Sequence, residues 1–128
     1  MLGYWLKKFK LRNFRELEIW KDSIKLVKRV YEFTSNLPDS EKYGLVSQMN
    51  RCCVSIPSNI AEGCSKDSQK DFIRYLQISI GSAFELETQL EICKEIGYCE
   101  RVDIIPLLDE IVKIQKRTKS LINYARTQ

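Results

Sequence analysis

Side-chain catalysis needs a base of suitable pKa, an activated nucleophile or a bound metal. This sequence contains no His, so the commonest base and the commonest metal ligand are both missing. Carboxylates and thiols remain. Glu62 and Glu85 are the candidate acid–base pair, and a polar structural network is the stronger reading of the same two residues. The five Cys, at 52, 53, 64, 93 and 99, show no repeated CxxC spacing. They read as free thiols packed like small hydrophobes. A zinc site from Cys64, Cys93 and Cys99 is the weaker alternative, because nothing in the spacing calls for it. No catalytic residue, metal, cofactor or small-molecule substrate is expected.

The polar residues most open to interpretation cluster in one segment. Ser55, Asn59 and Glu62 stand at i, i+4 and i+7, which places them on one side of a helix. A buried amide or carboxylate has to be hydrogen-bonded. Arg51, Arg74 and Glu85 complete the expected structural polar network, with Gln48, Ser82 and Gln89 as further partners. Such a network fixes helix register more than it adds stability.

Charge supplies the other candidate. The formal net charge is +4. Lys7, Lys8, Lys10, Arg12 and Arg15 precede any acid, and Lys113, Lys116, Arg117, Lys119 and Arg126 follow the last one. The remaining 11 of 21 basic residues and all 17 acidic residues lie between them. Two basic ends can contact a polyanion. Lys113, Lys116, Arg117 and Lys119, with Lys7, Lys8 and Lys10, are the candidate nucleic-acid contacts. A solvated helix face and an unstructured tail would look the same.

These residues ride on helices. Five Gly and three Pro are too few for a chain of many tight turns. Apolar residues repeat with helical period in four segments. In the first, about 14–35, Leu17, Trp20, Ile24, Val27 and Tyr31 form a stripe taken as the core face. Ile19, Leu26, Val30 and Phe33 form a second stripe nearly opposite. In the second, about 40–62, Leu45, Met49, Cys52, Ile56 and Asn59 point inward, Pro57 predicts a kink, and Gly63 takes a left-handed C-terminal position. The third carries Phe72, Leu76, Ser79, Ala83, Leu86, Leu90 and Cys93 in alternating steps of four and three. Ser68 caps it and Gly97 ends it. The fourth, about 104–125, carries Leu107, Ile111, Ile114, Thr118, Leu121 and Ala125, with Pro106 in its first turn. Short connections make successive helices antiparallel. The expectation is an all-α, antiparallel up-down four-helix bundle over residues 13–128, preceded by a basic tail at 1–12.

Apolar residues outside these stripes need a partner surface. Ile19, Leu26, Val30 and Phe33 of the first helix and Ile78, Phe84 and Ile92 of the third are the expected homo-oligomer interface. No apolar run is long enough to span a membrane, and the basic residues follow the N-terminal apolar stretch rather than precede it. A cytoplasmic location is expected.

The stretch Arg51-Cys52-Cys53-Val54-Ser55-Ile56-Pro57-Ser58-Asn59-Ile60-Ala61-Glu62-Gly63 resembles the R-x-x-x-S-I-P-x-N-I-A-E-G signature of a bacterial family. Its members are four-helix-bundle proteins encoded in, or related to those encoded in, intervening sequences of large-subunit ribosomal RNA genes. Residues 71–90, with Gly81-Ser82 and Glu85-Leu86, are similar to the family's second block. Cys52, Cys53 and Ser79 stand where Ala-like residues are usual, swaps of similar volume. The resemblance implies a bundle, often a ring of five copies. It also implies a fold shared with accessory proteins of diversity-generating retroelements, which bind nucleic acid and a reverse transcriptase. The expected function is a non-catalytic, oligomeric scaffold or accessory protein associated with RNA or a ribonucleoprotein. The alternatives are a protein–protein interaction module without nucleic acid and, more distantly, an enzyme using Glu62 and Glu85.

Overall fold

The computed structural model describes residues 12–128. The expected contacts at Lys7, Lys8 and Lys10 lie outside the described residues. A 3-10 turn at Phe14–Glu16, capped by the Asn13 side chain on the Arg15 amide at 3.1 Å, leads into helix α1, Glu18–Thr34. A second 3-10 turn, Asp39–Glu41, leads into α2, Leu45–Cys64. Helix α3 spans Gln69–Ile96 and α4 spans Arg101–Arg126. Each helix packs along its neighbours in chain order, and α1 closes the bundle against α4. The fold is the all-α four-helix bundle expected.

Local chemistry explains the helix ends. The Ser68 side chain accepts the Asp71 amide at 3.1 Å, and Gly97 ends α3 at φ +94°, a conformation that costs Gly little. At the start of α2, Glu41 Oε1 accepts the Leu45 amide at 3.0 Å and its Oε2 accepts the Tyr98 hydroxyl at 2.7 Å. The Leu45 amide first and Tyr98 second hold the Glu41 carboxyl below its ordinary pKa. Helix α4 begins at Arg101, three residues earlier than expected, with the Glu100 amide donating to Asp103 at 2.8 Å. Pro106 therefore sits in the second turn, where its missing N–H leaves the Val102 carbonyl without a helical donor. Val102 is exposed, so water can serve that carbonyl.

The core runs the length of the bundle through Leu26, Met49, Ile56, Leu76, Leu86 and Ile111, all essentially inaccessible. Burying one such side chain contributes about 1.5–3 kcal/mol. The seven expected core positions of α3 are all buried.

Helix α1 reverses the sequence expectation. Ile19, Leu26 and Val30 are core residues of the single chain, together with Ser23 and Thr34, and are not available to a second copy. Phe33 is half-buried against the same core. The stripe expected inside is divided: Ile24 and Tyr31 are exposed, while Leu17, Trp20 and Val27 are half-buried and pack against the edge of the core. Neighbour packing decides between two stripes of equal period: Asp22 and Arg29 face α4, while Thr34 bonds Asn50 of α2, which leaves the Ile24–Tyr31 side beside α2 and outward.

Gly63 is a second correction. It is buried inside α2 with no positive φ. A Cβ there would lie 2.9 Å from Tyr75 Cβ and 3.2 Å from the Phe72 carbonyl oxygen. The glycine is needed for close approach of α2 to α3, not for a left-handed turn.

Candidate functional site

Along the α2–α3 seam the signature residues meet. Asn59 Nδ2 donates to the Ser55 carbonyl at 2.8 Å and to Ser55 Oγ at 3.0 Å, and Ser55 Oγ lies 2.6 Å from Ser82 Oγ. One turn deeper, Ser79 Oγ donates to the Ile56 carbonyl at 2.9 Å, beside the buried Pro57. Cys52 Sγ reaches the Ser82 carbonyl at 3.0 Å. Helix α2 continues unbroken through Pro57, whose missing N–H deprives the Cys53 carbonyl of its helical donor.

The charged members of the expected network are not part of it. Arg51, Glu62 and Arg74 are exposed and take no part in the hydrogen bonds joining Ser55, Asn59 and Ser82, and the exposed Glu85 meets the seam only at the Cys52 thiol. Arg74 instead lies over the Tyr75 ring, its guanidinium carbon 5.5 Å from the centroid, within reach of a cation–π contact. Both glutamates are exposed to solvent. Gln48 too is exposed, and Gln89 is buried.

The thiols are poorly suited to nucleophilic chemistry. Burial, helped by the Glu85 charge, pushes the Cys52 thiol up to about 12. Burial likewise pushes Cys53, Cys64 and Cys93 up to about 11. These groups stay protonated at neutral pH. Cys64 lies near Arg12 at one end of the bundle, and Cys93 lies 3.7 Å from Met49 Sδ at the other. No group of three His, Cys, Asp or Glu placed to hold a metal occurs among the described residues.

The basic residues of α4 are exposed at Lys113, Lys116, Arg117 and Lys119. Arg117 is engaged, with its guanidinium 2.9 Å from Asp22 of α1. Seven residues further along α1, Arg29 meets Glu110, seven residues back on α4, at 3.6 Å. The two pairs fix an antiparallel register that puts Lys25 and Lys113 between them, across the seam from each other. Lys21 and Lys28 extend the outer crest of α1 from there toward α2. Lys25, Lys28, Lys113, Lys116 and Lys119 make no ion pair among the described residues. Sequence reading by acid-free runs misses Lys25 and Lys28, since acids interrupt the sequence around them; only the adjacency of α1 and α4 joins them to the basic run.

Of the expected interface residues, Ile78, Phe84 and Ile92 are exposed, at 41%, 55% and 40%. They do not form one patch. Ile78 and Ile92 fall seven residues either side of Glu85 on one line of α3, whereas Phe84 lies on the flank nearer α4. No helix among the described residues is long and apolar enough to cross a membrane.

Comparison with known proteins agrees with this architecture. A crystal structure of a protein of unknown function from the S23 ribosomal protein family of Bacteroides thetaiotaomicron superposes with a TM-score of 0.76 at 26% identity. The match covers 82% of this chain and 95% of that one. No curated protein matches the chain. The 23S rRNA-intervening sequence protein family matches residues 15–120, which include the whole α2–α3 seam and the α1–α4 face as far as Lys119, and the chain belongs to that family.

Proposed function

We propose that this protein is a non-catalytic bundle that assembles with copies of itself in the cytoplasm and serves as a scaffold or accessory factor for RNA or a ribonucleoprotein. The observation that carries the reading is the α1–α4 face, where Lys25, Lys113 and Lys116 project without ion-pair partners among the described residues, with Lys28 on the outer crest of α1 and Lys119 on the α3 flank of α4. Free ammonium groups spaced along one face can neutralise phosphates and release counterions. The family's name supports RNA over other polyanions.

The test is RNA binding across a salt series, comparing the intact protein with the triple variant Lys25→Gln, Lys113→Gln, Lys116→Gln. The variant should bind more weakly on every RNA sequence. Its slope of log affinity on log salt should flatten by about 2, since each neutralised phosphate on a single strand contributes about 0.7. No RNA binding by the intact protein at low salt sinks the reading.

A second reading, a protein-interaction module without nucleic acid, is favoured by Ile92 and Ile96, exposed one turn apart on α3 with Ile78 further along the same side. The same side chains support self-assembly. Light scattering after size exclusion tests it, and a monodisperse species of about 15 kDa is the result against assembly.

A further inference from the structure

Between the C-terminal half of α1 and the N-terminal half of α2 lies an open groove of about 530 Å³. Its size is within the about 300–1,000 Å³ of small-ligand sites. The apolar lining comes from Val46 and Val54. Two tyrosines border it, Tyr43 at 88% exposure and Tyr31 at 47%. A ring so exposed as Tyr43 contributes nothing to the core, and Lys42 lies over it, 5.5 Å from the centroid. Arg51 supplies a second cation, exposed and without an ion pair among the described residues. No carboxylate lines the groove among the described residues.

Its polar groups include donors without partners among the described residues. Asn50, which lines the groove, accepts the Thr34 hydroxyl on Oδ1 at 2.9 Å, and its Nδ2 has no hydrogen bond among the described residues. Ser47 adds a hydroxyl beside it. Exposed aromatic faces, unpaired cations and an amide donor, with no acid among them, are the parts of a single-strand nucleic-acid site. Bases stack on the rings, and the backbone follows the positive charge. An aliphatic or basic peptide would use neither the cations nor the face of the Tyr43 ring that Lys42 leaves open.

We propose that this groove takes an unpaired nucleotide of a single-stranded nucleic acid, its base stacked on Tyr43 and its phosphate held by Lys42 and Arg51. Asn50 Nδ2 donates to an acceptor on the base edge. Lys28 is exposed on the outer crest of α1 about one turn before Tyr31, with the exposed Glu32 one turn further on. The inference rests on the nucleic-acid reading above but adds a separate site with its own recognition chemistry. Recognition by stacking also selects strands with unpaired bases, which a lysine face alone does not do.

The experiment measures fluorescence anisotropy of a labelled oligouridine RNA, the same strand as DNA, and a fully paired RNA hairpin. Tyr43→Ala should weaken oligouridine binding by about tenfold, the usual effect of losing one stacking platform. Tyr43→Phe should restore it, and hairpin binding should not change with either variant. Lys42→Gln with Arg51→Gln should flatten the salt dependence. Weakening of both oligouridine and oligodeoxyuridine by Tyr43→Ala supports stacking common to both sugars; weakening of the RNA alone supports the site and assigns it to RNA. If the intact protein binds oligouridine and Tyr43→Ala and Tyr31→Ala bind equally well, the groove proposal is overturned while the lysine face stands. If no probe binds the intact protein, both fall. A Tyr43→Ala variant that loses self-assembly but keeps its RNA affinity identifies a second copy as the occupant and also overturns the proposal.

Discussion

The α2–α3 and α1–α4 seams hold the same kind of helix pair together by different means. At α2–α3, Gly63 lets the backbones approach, the Ser55–Ser82 and Ser79–Ile56 hydrogen bonds of 2.6 and 2.9 Å bridge them, and Asn59 holds Ser55 from within α2. At α1–α4, two ion pairs at the surface set the register, and Lys25 and Lys113, without ion pairs among the described residues, lie outside them. Small polar residues at close range tolerate little change in volume. Long charged side chains at a surface tolerate a good deal. The signature segment that identifies the family therefore lies largely in the seam with structural demands, while the groups free to meet a polyanion lie on the other.

The sharpest way to break this contrast is at glycine. Gly63→Ala should destabilise the protein by about 1–3 kcal/mol, the cost of forcing extra volume into a packed contact. Gly81, on the solvent side of α3, has open space within 4 Å of the point a Cβ would occupy, so Gly81→Ala should stabilise by about 0.5–1 kcal/mol. Denaturant midpoints measure both. A stabilised Gly63→Ala would show that the α2–α3 seam is looser than its distances indicate.

A smaller effect separates the polar members of the signature. Asn59→Ala removes the donor to Ser55 and should cost about 1 kcal/mol. Glu62→Ala, at an exposed position outside those bonds, should stay within about 0.5 kcal/mol. Equal losses of melting temperature in the two variants would return Glu62 to the structural network.

Legibility from sequence follows the number of available partners. Helix α3 is the longest, its heptad stripe has no rival of equal quality, and all seven of its stripe residues are buried. Helix α1 carries two stripes of the same period, so periodicity cannot choose between Ile19, Leu26 and Val30 on one side and Ile24 and Tyr31 on the other. That choice belongs to α2 and α4. Gly63 has the sequence context of a helix end, and its role is visible only once Tyr75 and Phe72 are beside it. Ser55, Asn59 and Ser82 are legible as a network because their spacing puts them on facing sides. Glu62 and Glu85 share that spacing, but long side chains at the edge of a seam reach water first. The lysine face is half legible: a run within α4 is visible in sequence, whereas its continuation onto α1 depends on tertiary adjacency.

The smallest effect belongs to the α1–α4 ion pair, and it tests whether that seam is a structural device at all. Arg117 is 48% exposed and Asp22 20%, so solvent screens most of their attraction. Pairs of this kind contribute about 0.2–1 kcal/mol, and holding two long side chains in place offsets part of that. A double-mutant cycle through Asp22→Asn and Arg117→Gln should return a coupling energy below about 1 kcal/mol. High salt should reduce it further, because the Debye length at 1 M is about 3 Å. Asp22→Asn also releases the Arg117 guanidinium, adding one free cation to the lysine face. If that face binds RNA, Asp22→Asn should tighten binding while barely moving stability, and the gain should vanish in Asp22→Asn with Arg117→Gln. A loss of several kcal/mol on breaking the pair would place α1–α4 in the same class as α2–α3, and the division between a seam for structure and a seam for contact would fail.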